Sequence, residues 1–469
     1  MRNFVKTLVL LAMLACASGC VLTRLTDPDA EIKRDSQWPP AGNDHSSSKQ
    51  LIQGLLTLDE AIRVALANNP ELVASEYDTT AADARCDIAS AQRLPNLHAV
   101  GGYTHYNDRQ RLFGATKDGE PGTFSQEIFL ADLVVSLPLF TGGRLSSEIR
   151  AAELLHAMTE QRLIRTRAEL IFNVSSVFYG ILAQRRVIES LKFSGKTLRE
   201  HLERVQELVA AQKAARVDQL RTEVRIADLD QRLAQERNVL AIQLRILANL
   251  LGVQGQQNLD PAGALNMTNP SLNDAALLVG PALAIRPDYL AARAALEAQA
   301  KFVDAARAEH WPTLSLQGAY GGRWAADSSN RASGATAADA VGRVGLIVDI
   351  PLFEGGRIEA KLREQRAKLA ADQERLRKLE LQIRFDVEAA TLNIASAAER
   401  IAATEKAIEQ AKESLRIERE KYGLGKGAIT NVLDAQSALL DAQTTYFRAI
   451  ADHETAAAQL RLATGEQSR

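Results

Sequence analysis

Aromatic residues are scarce in this chain, at 5% of 469 positions, while alanine is abundant, a balance that favours long helices over a mixed globular enzyme. The excess of lysine and arginine that nucleic-acid binding requires is missing, because the formal net charge is -2. Nucleic acid is not an expected partner. The seven histidines are scattered, without the paired spacing of a zinc site. No Ser, His and Asp set with catalytic logic stands out. Glycine pairs occur at Gly142-Gly143 and Gly355-Gly356, but no Lys-Ser or Lys-Thr follows them as in a phosphate loop, so they read as turns from strand to helix. Neither an enzyme nor a cofactor or metal site is expected.

Cysteine is nearly absent too, with only Cys16, Cys20 and Cys86. The first residues carry Arg2 and Lys6, then an apolar run from Thr7 to Ala15, then small residues, which is the layout of a secretory signal. That run is too short to span a bilayer. It leads into "ASGC", which resembles the bacterial lipoprotein box, whose cysteine becomes the acylated first residue. Residues 1–19 are therefore expected to be a signal peptide and Cys20 the lipidated residue. Ala17 stands where leucine is usual, so Cys16 is a rival, and cleavage without a lipid is the plainer alternative. After cleavage before Cys20 only Cys86 is left beside it, and no intrachain disulfide is available. Val21 follows the cysteine where aspartate would suggest inner-membrane retention, which points to the outer membrane. Residues 20–56, including "WPPAGNDHSSSK", read as a polar, breaker-rich tether.

What the chain does have is a repeat. "PLFTGGR" runs from Pro138 to Arg144, and 213 residues on "PLFEGGR" runs from Pro351 to Arg357. Upstream, "ALANNPEL" at Ala65 to Leu72 answers "ALAIRPDY" at Ala282 to Tyr289 with an offset of 217. Pro95 and Pro312 lead stretches ending on Tyr103 and Tyr320, and the change of offset falls in the loop-like segments that follow. A repeat of this size marks a duplicated structural unit. Its copies are expected at 57–270 and 271–469, each a helix, a β-hairpin and a long helical hairpin.

Around those loops the pattern has period two. Leu133, Val135 and Leu137 alternate with Asp132, Val134 and Ser136, and Leu346, Val348 and Ile350 alternate with Gly345, Ile347 and Asp349. The strands entering the loops place Leu97, Ala99 and Tyr103, or Leu314, Leu316 and Tyr320, on one face. Segments of about ten residues with one apolar and one mixed face fit transmembrane β-strands. A soluble hairpin packed on helices fits the same alternation. Phe140, Trp311 and Phe353 fall at one end of these strands, where an interfacial aromatic belt belongs. Two hairpins are too few to close a barrel, and open edges cannot face hydrocarbon, so the barrel must be shared between copies of the chain.

After each "GGR" the period becomes helical. Leu362, Leu369, Leu376 and Ile383 are seven apart, as are Val387, Ile394, Ile401, Ile408, Leu415 and Tyr422, with a step of four between the two series. That step is a stutter, and it recurs 213 residues earlier between Leu170 and Val174. Each helix spans 67 residues, Arg144 to Ala210 and Arg357 to Gly423, or about 100 Å at 1.5 Å per residue. Shorter runs return over roughly 219–252 and 432–464. The helix from Pro287 is expected to complete the first return and the helix from Pro70 the second.

The doubled "PLFxGGR", the proline-led strands ending in "GxY" and the C-terminal "YGLGKGAITNVLDAQSALLDAQ" together resemble the TolC-like outer-membrane efflux factors, in their lipoprotein branch. The resemblance implies a mainly α fold with a membrane β-barrel. Three chains would give four strands each to one 12-stranded outer-membrane barrel, continued by a trimeric α-barrel of long coiled-coil helices. It implies an exit duct for efflux or secretion whose partners are two further copies of itself, a periplasmic membrane-fusion adaptor, an inner-membrane pump of RND or ABC type, and outer-membrane lipid. It further implies a periplasmic aperture lined by Asp218, Asp434 and Asn431, the last where the family commonly has aspartate, with Tyr422 as a partner for Asp218. Lys213, Arg216, Gly425, Lys426 and Gly427 are the expected adaptor-contacting tips. Gly427 replaces a basic residue that can supply a second latch, a role open to Lys426 or Arg216. Against this, Asp218 and Asn431 also read as helix N-caps. The other function classes are a periplasmic adaptor, which should show lipoyl-like and soluble β-barrel segments not visible here, and a structural envelope lipoprotein or passive porin.

Overall fold

Proline at the first helical position lacks only an amide hydrogen that a helix start leaves unused, so Pro70 and Pro287 are well placed to open helices. In the computed structural model, α1 (Leu58–Asn68) is followed by α2 (Pro70–Ala91), and α5 (Ala275–Ile285) by α6 (Pro287–Ala308). Thr57 and Glu60 form a reciprocal capping box on α1, and the Asn69 side chain accepts from the amides of Glu71 and Leu72 at the start of α2. The structure describes residues 55–112, 122–253, 259–263, 265, 275–325 and 338–466, with 54–469 forming one unit. Cys20, its rival Cys16 and almost all of the expected tether lie outside the described residues. Within that tether, Leu55–Leu56 is a short strand, β1, that pairs in parallel with β4 (Asp260–Pro261).

The two hairpins are β2 (Asn96–Arg111) with β3 (Phe124–Phe140), and β5 (Thr313–Ala325) with β6 (Ala338–Asp349). All four strands make one antiparallel sheet in the order β2-β3-β5-β6. The junction of the repeats is therefore the β3–β5 pairing, in which Leu133 faces Tyr320 and Leu137 faces Leu316.

Each second strand delivers the chain to a long helix through a left-handed glycine pair, with φ of 64° and 90° at Gly142 and Gly143 and 61° and 81° at Gly355 and Gly356. The helices α3 (Arg144–Ala210) and α7 (Arg357–Gly423) have 67 residues each, with the bounds the sequence indicates. The helices α4 (Arg216–Leu250) and α8 (Ile429–Thr464) return, beginning three residues earlier than the pattern suggests. The heptad seam is the core: Ile383, Val387, Ile394, Ile401 and Leu415 on α7, and Leu170, Val174, Ile181 and Ile188 on α3, are all buried. Ala390 and Ala397, fully buried, are small enough to let the neighbouring helices close in.

One expectation is reversed. The helix from Pro70 joins the first return and the helix from Pro287 joins the second. The Asn69 side chain donates to the carbonyl of Leu250 at 2.9 Å, and Arg286 donates to that of Ala463 at 3.2 Å. Left-handed Gly252 and Gly465 end the returns, and a Cβ at Gly252 would collide with the Asn68 carbonyl. The reason is local tethering, because the β1–β4 pairing holds the start of the first repeat beside the end of its own α4.

Candidate functional site: the hairpin tips and the strand band

At the tips, the same backbone is written twice with different side chains. The amide of Lys213 donates to the Leu208 carbonyl and that of Lys426 to the Lys421 carbonyl, the six-residue closure of a Schellman turn. The residue just before is left-handed in both, Gly425 with φ 69° and Gln212 with φ 58°. Gly427 owes its identity to crowding, since a Cβ would lie 3.1 Å from the Lys421 side chain. Gly423 needs neither explanation and is the last residue of α7.

Asp218 and Asn431 are not N-caps. Ala215 and Ala428 hold the cap positions without side-chain bonds, which puts Asp218 and Asn431 three residues inside their helices. Their amides bond back to the Ala215 and Ala428 carbonyls at 2.9 and 3.2 Å. The carboxylate of Asp218 is thereby free to reach across, and it accepts from the Tyr422 hydroxyl at 3.5 Å. Burial, then the Asp218 charge, pushes the Tyr422 phenol up, so it remains a donor. The Asn431 amide donates to Glu418 at 3.3 Å. Asp434 is exposed on the same helix as Asn431, and Lys213, Arg216, Gly425 and Lys426 are exposed at the turns. Neither Arg216 nor Lys426 forms an ion pair among the described residues, so neither acts as a second latch within one chain.

His201 gave no sequence signal and nonetheless belongs to this site. Its ring packs on Tyr422 with centroids 5.5 Å apart. Arg419 joins it, donating to the Gln436 side chain at 2.7 Å, while Gln436 donates to Ser194 at 2.9 Å.

In the sheet, register partners share a face. Leu97, Ala99 and Tyr103 therefore align with Val135, Leu133 and Phe129, and these with Gly318, Tyr320 and Trp324, then Val344, Gly342 and Ala338. Between Phe140 and Phe129 that face carries no charged side chain on any of the four strands, His105 and Glu127 lying beyond it, yet Leu97, Val344, Leu346 and Val348 are each more than half exposed. The opposite face holds Asp132, Gln317, Arg323, Arg343 and Asp349. Phe140, Trp311 and Phe353 are exposed at the helical end of the sheet. A second aromatic row crosses the far end, with Tyr103 to Phe129 at 5.0 Å and Phe129 to Trp324 at 5.8 Å. Phe140 pairs with Leu314 and Phe129 with Trp324, so the rows are separated by about 33 Å of strand, or roughly 24 Å of height at a 45° tilt. That is the height of an outer-membrane apolar band between its aromatic girdles. No helix among the described residues is long and apolar enough to cross a membrane.

The profile of the outer membrane efflux protein family matches residues 61–253 and 278–466, one block in each repeat. The chain belongs to this family. Among efflux-family relatives it is 26% identical over 462 residues to the pyoverdine export outer membrane protein OpmQ of Pseudomonas aeruginosa, covering 93% of this chain and 89% of that protein. It is 26% identical over 400 residues to the probable outer membrane lipoprotein SilC of Salmonella typhimurium, covering 81% and 79%. The crystal structure of the outer membrane protein VceC of Vibrio cholerae superposes with a TM-score of 0.75 at 20% identity, over 87% of this chain and 96% of that one. This efflux-family chain is an outer-membrane export channel component, with the strand band as its membrane-spanning part and the helices reaching into the periplasm.

Proposed function

We propose that three copies of this chain form the outer-membrane exit duct of a tripartite system, passively conducting substrates delivered by an inner-membrane RND or ABC pump through a periplasmic adaptor. The carrying observation is the sheet: among the described residues β2 and β6 are unpaired edges flanking a face that is apolar across a membrane-high band. Edges cannot remain open in lipid, so β6 of one copy pairs with β2 of the next, and three copies make twelve strands. Exposed apolar residues along α4, including Val217, Leu220, Val224, Ile242 and Ile246, supply a second surface for the neighbouring copy. In the closed trimer Asp218 with Tyr422, Asn431 and Asp434 line the periplasmic aperture. The adaptor docks on the turns at Lys213, Arg216, Gly425, Lys426 and Gly427, and binds the splayed state more tightly. The acyl group on Cys20 is an auxiliary anchor. Native mass spectrometry in detergent together with planar-bilayer recording tests this reading. A three-chain assembly that conducts ions is expected, and a barrel closed by one chain would overturn it.

A further inference from the structure

His201 stands out among the polar groups buried in the helical tips. Its Nε2 atom is buried and has no hydrogen-bond partner among the described residues. The groups facing it come from three helices. On its own α3 they include Arg204; from α7 come Arg419 and the Tyr422 ring, and through Tyr422 the Asp218 carboxylate of α4. The nearest polar group of α8 in this network is the neutral Gln436 side chain, already bound to Arg419. Burial lowers the affinity of Arg419 for its proton, and the charge of Glu200 opposes that. The imidazole thus contacts the tyrosine that ties α7 to α4, within electrostatic reach of the Arg419 and Arg204 guanidiniums.

We infer that His201 is a proton-sensitive wedge in the hairpin tip: in mildly acidic conditions it becomes charged, loosens the packing of α3 on α7, and frees Tyr422 from Asp218. The second hairpin has no equivalent, because the residues 213 further on from His201 and Arg204 are Ser414 and Ile417. The device therefore acts at one of the two joints in each copy.

The direction follows from linkage. Burial, then Arg419 and Arg204, hold the packed imidazole below its ordinary value of 6.5, which it regains when the tip opens to water. Above that value both states are neutral and the packed tip has its full stability. As the pH falls through it, only the open state takes up the proton, and the packed tip is progressively disfavoured by up to about tenfold per pH unit for each copy.

Hydrogen exchange on the full-length assembly in detergent, at about pH 7.5 and about pH 5.5, reads this directly. After correction for intrinsic exchange, the amides around 209–216 and 422–429 should open several-fold more readily at the lower pH, up to the roughly tenfold-per-unit limit. His201→Phe and His201→Gln should both remove that acid response, the two variants guarding against a packing defect in either. An acid response absent from the parent, or one that persists in both variants, overturns the inference. So does a response that survives them and vanishes in Asp218→Asn, which would assign it to the carboxylate. The readout is tip packing, so it stands or falls separately from whether the assembly conducts.

Discussion

The guanidinium of Arg286 donates to the carbonyl of Ala463 at 3.2 Å, tying the first residue before α6 to the last turn of α8. Only 2% of its side chain is exposed, and its other donors form a fork on Asp288, at 2.6 and 3.0 Å, and reach Asp386 at 3.2 Å. Asn69 makes the corresponding bond to Leu250 in the first repeat with a neutral amide. The two joints share a geometry and differ in charge.

Arg286→Ala is predicted to cost roughly 3–5 kcal/mol, because it strands two carboxylates around a buried gap. Asn69→Ala should cost about 1 kcal/mol, the worth of an N-cap. Thermal unfolding of the purified assembly compares them. Equal losses would mean that the charges at the second joint contribute nothing.

The same joint should be acid-labile. Burial opposes ionisation of Asp288, but the bond and charge of Arg286, with Arg165 beyond, outweigh it and hold the carboxyl below its usual range. A depressed carboxylate stabilises the fold above its unfolded value of about 3.8 and loses that contribution as the pH falls through the lower folded value. Asp288→Asn should therefore flatten the fall in stability below about pH 4. An unchanged acid limb in that variant counts against it.

At the tips, Gln212 occupies a left-handed position that Gly425 fills in the other hairpin. Gln212→Gly should stabilise the first turn by about 0.5–1 kcal/mol, the strain relieved less the extra freedom of the unfolded chain. Gly425→Ala should destabilise the second by a similar amount. Exchange rates at the two turns are the measurement, and a slower second turn in Gly425→Ala would contradict the assignment.

Across the sheet, the two faces should respond oppositely to charge. Val344→Arg puts a cation among the apolar residues at mid-band and should cost about 2–4 kcal/mol per copy in lipid. Gln317→Arg, on the mixed face, should be nearly neutral in stability while altering ion selectivity. Heat resistance of the reconstituted assembly separates the two. Similar losses would show that the mixed face also meets lipid.

The features whose evidence lies along one stretch of chain were legible in the sequence: the 213-residue offset, the period-two strands, and two 67-residue helices with a shared stutter. Periodicity reports which face of an element is buried, and the burial of Ile383, Val387 and Ile394 follows it. It also carried the partnership of Asp218 with Tyr422 through the family resemblance. How the elements meet is visible only in the packed fold. That β3 pairs with β5 rests on a ladder between strands far apart in the chain, and that the helix from Pro70 joins α4 and not α8 rests on a side-chain bond from Asn69 and a two-residue strand at Leu55–Leu56, none of which leaves a periodic trace. The N-cap reading of Asp218 failed for a related reason, because the cap position depends on where the preceding turn ends, and that turn closes through Gln212 onto Ala215. His201 was invisible in the chain, since a lone histidine beside a heptad seam acquires its meaning only from Arg419 and Tyr422, more than two hundred residues away and brought beside it by helix packing.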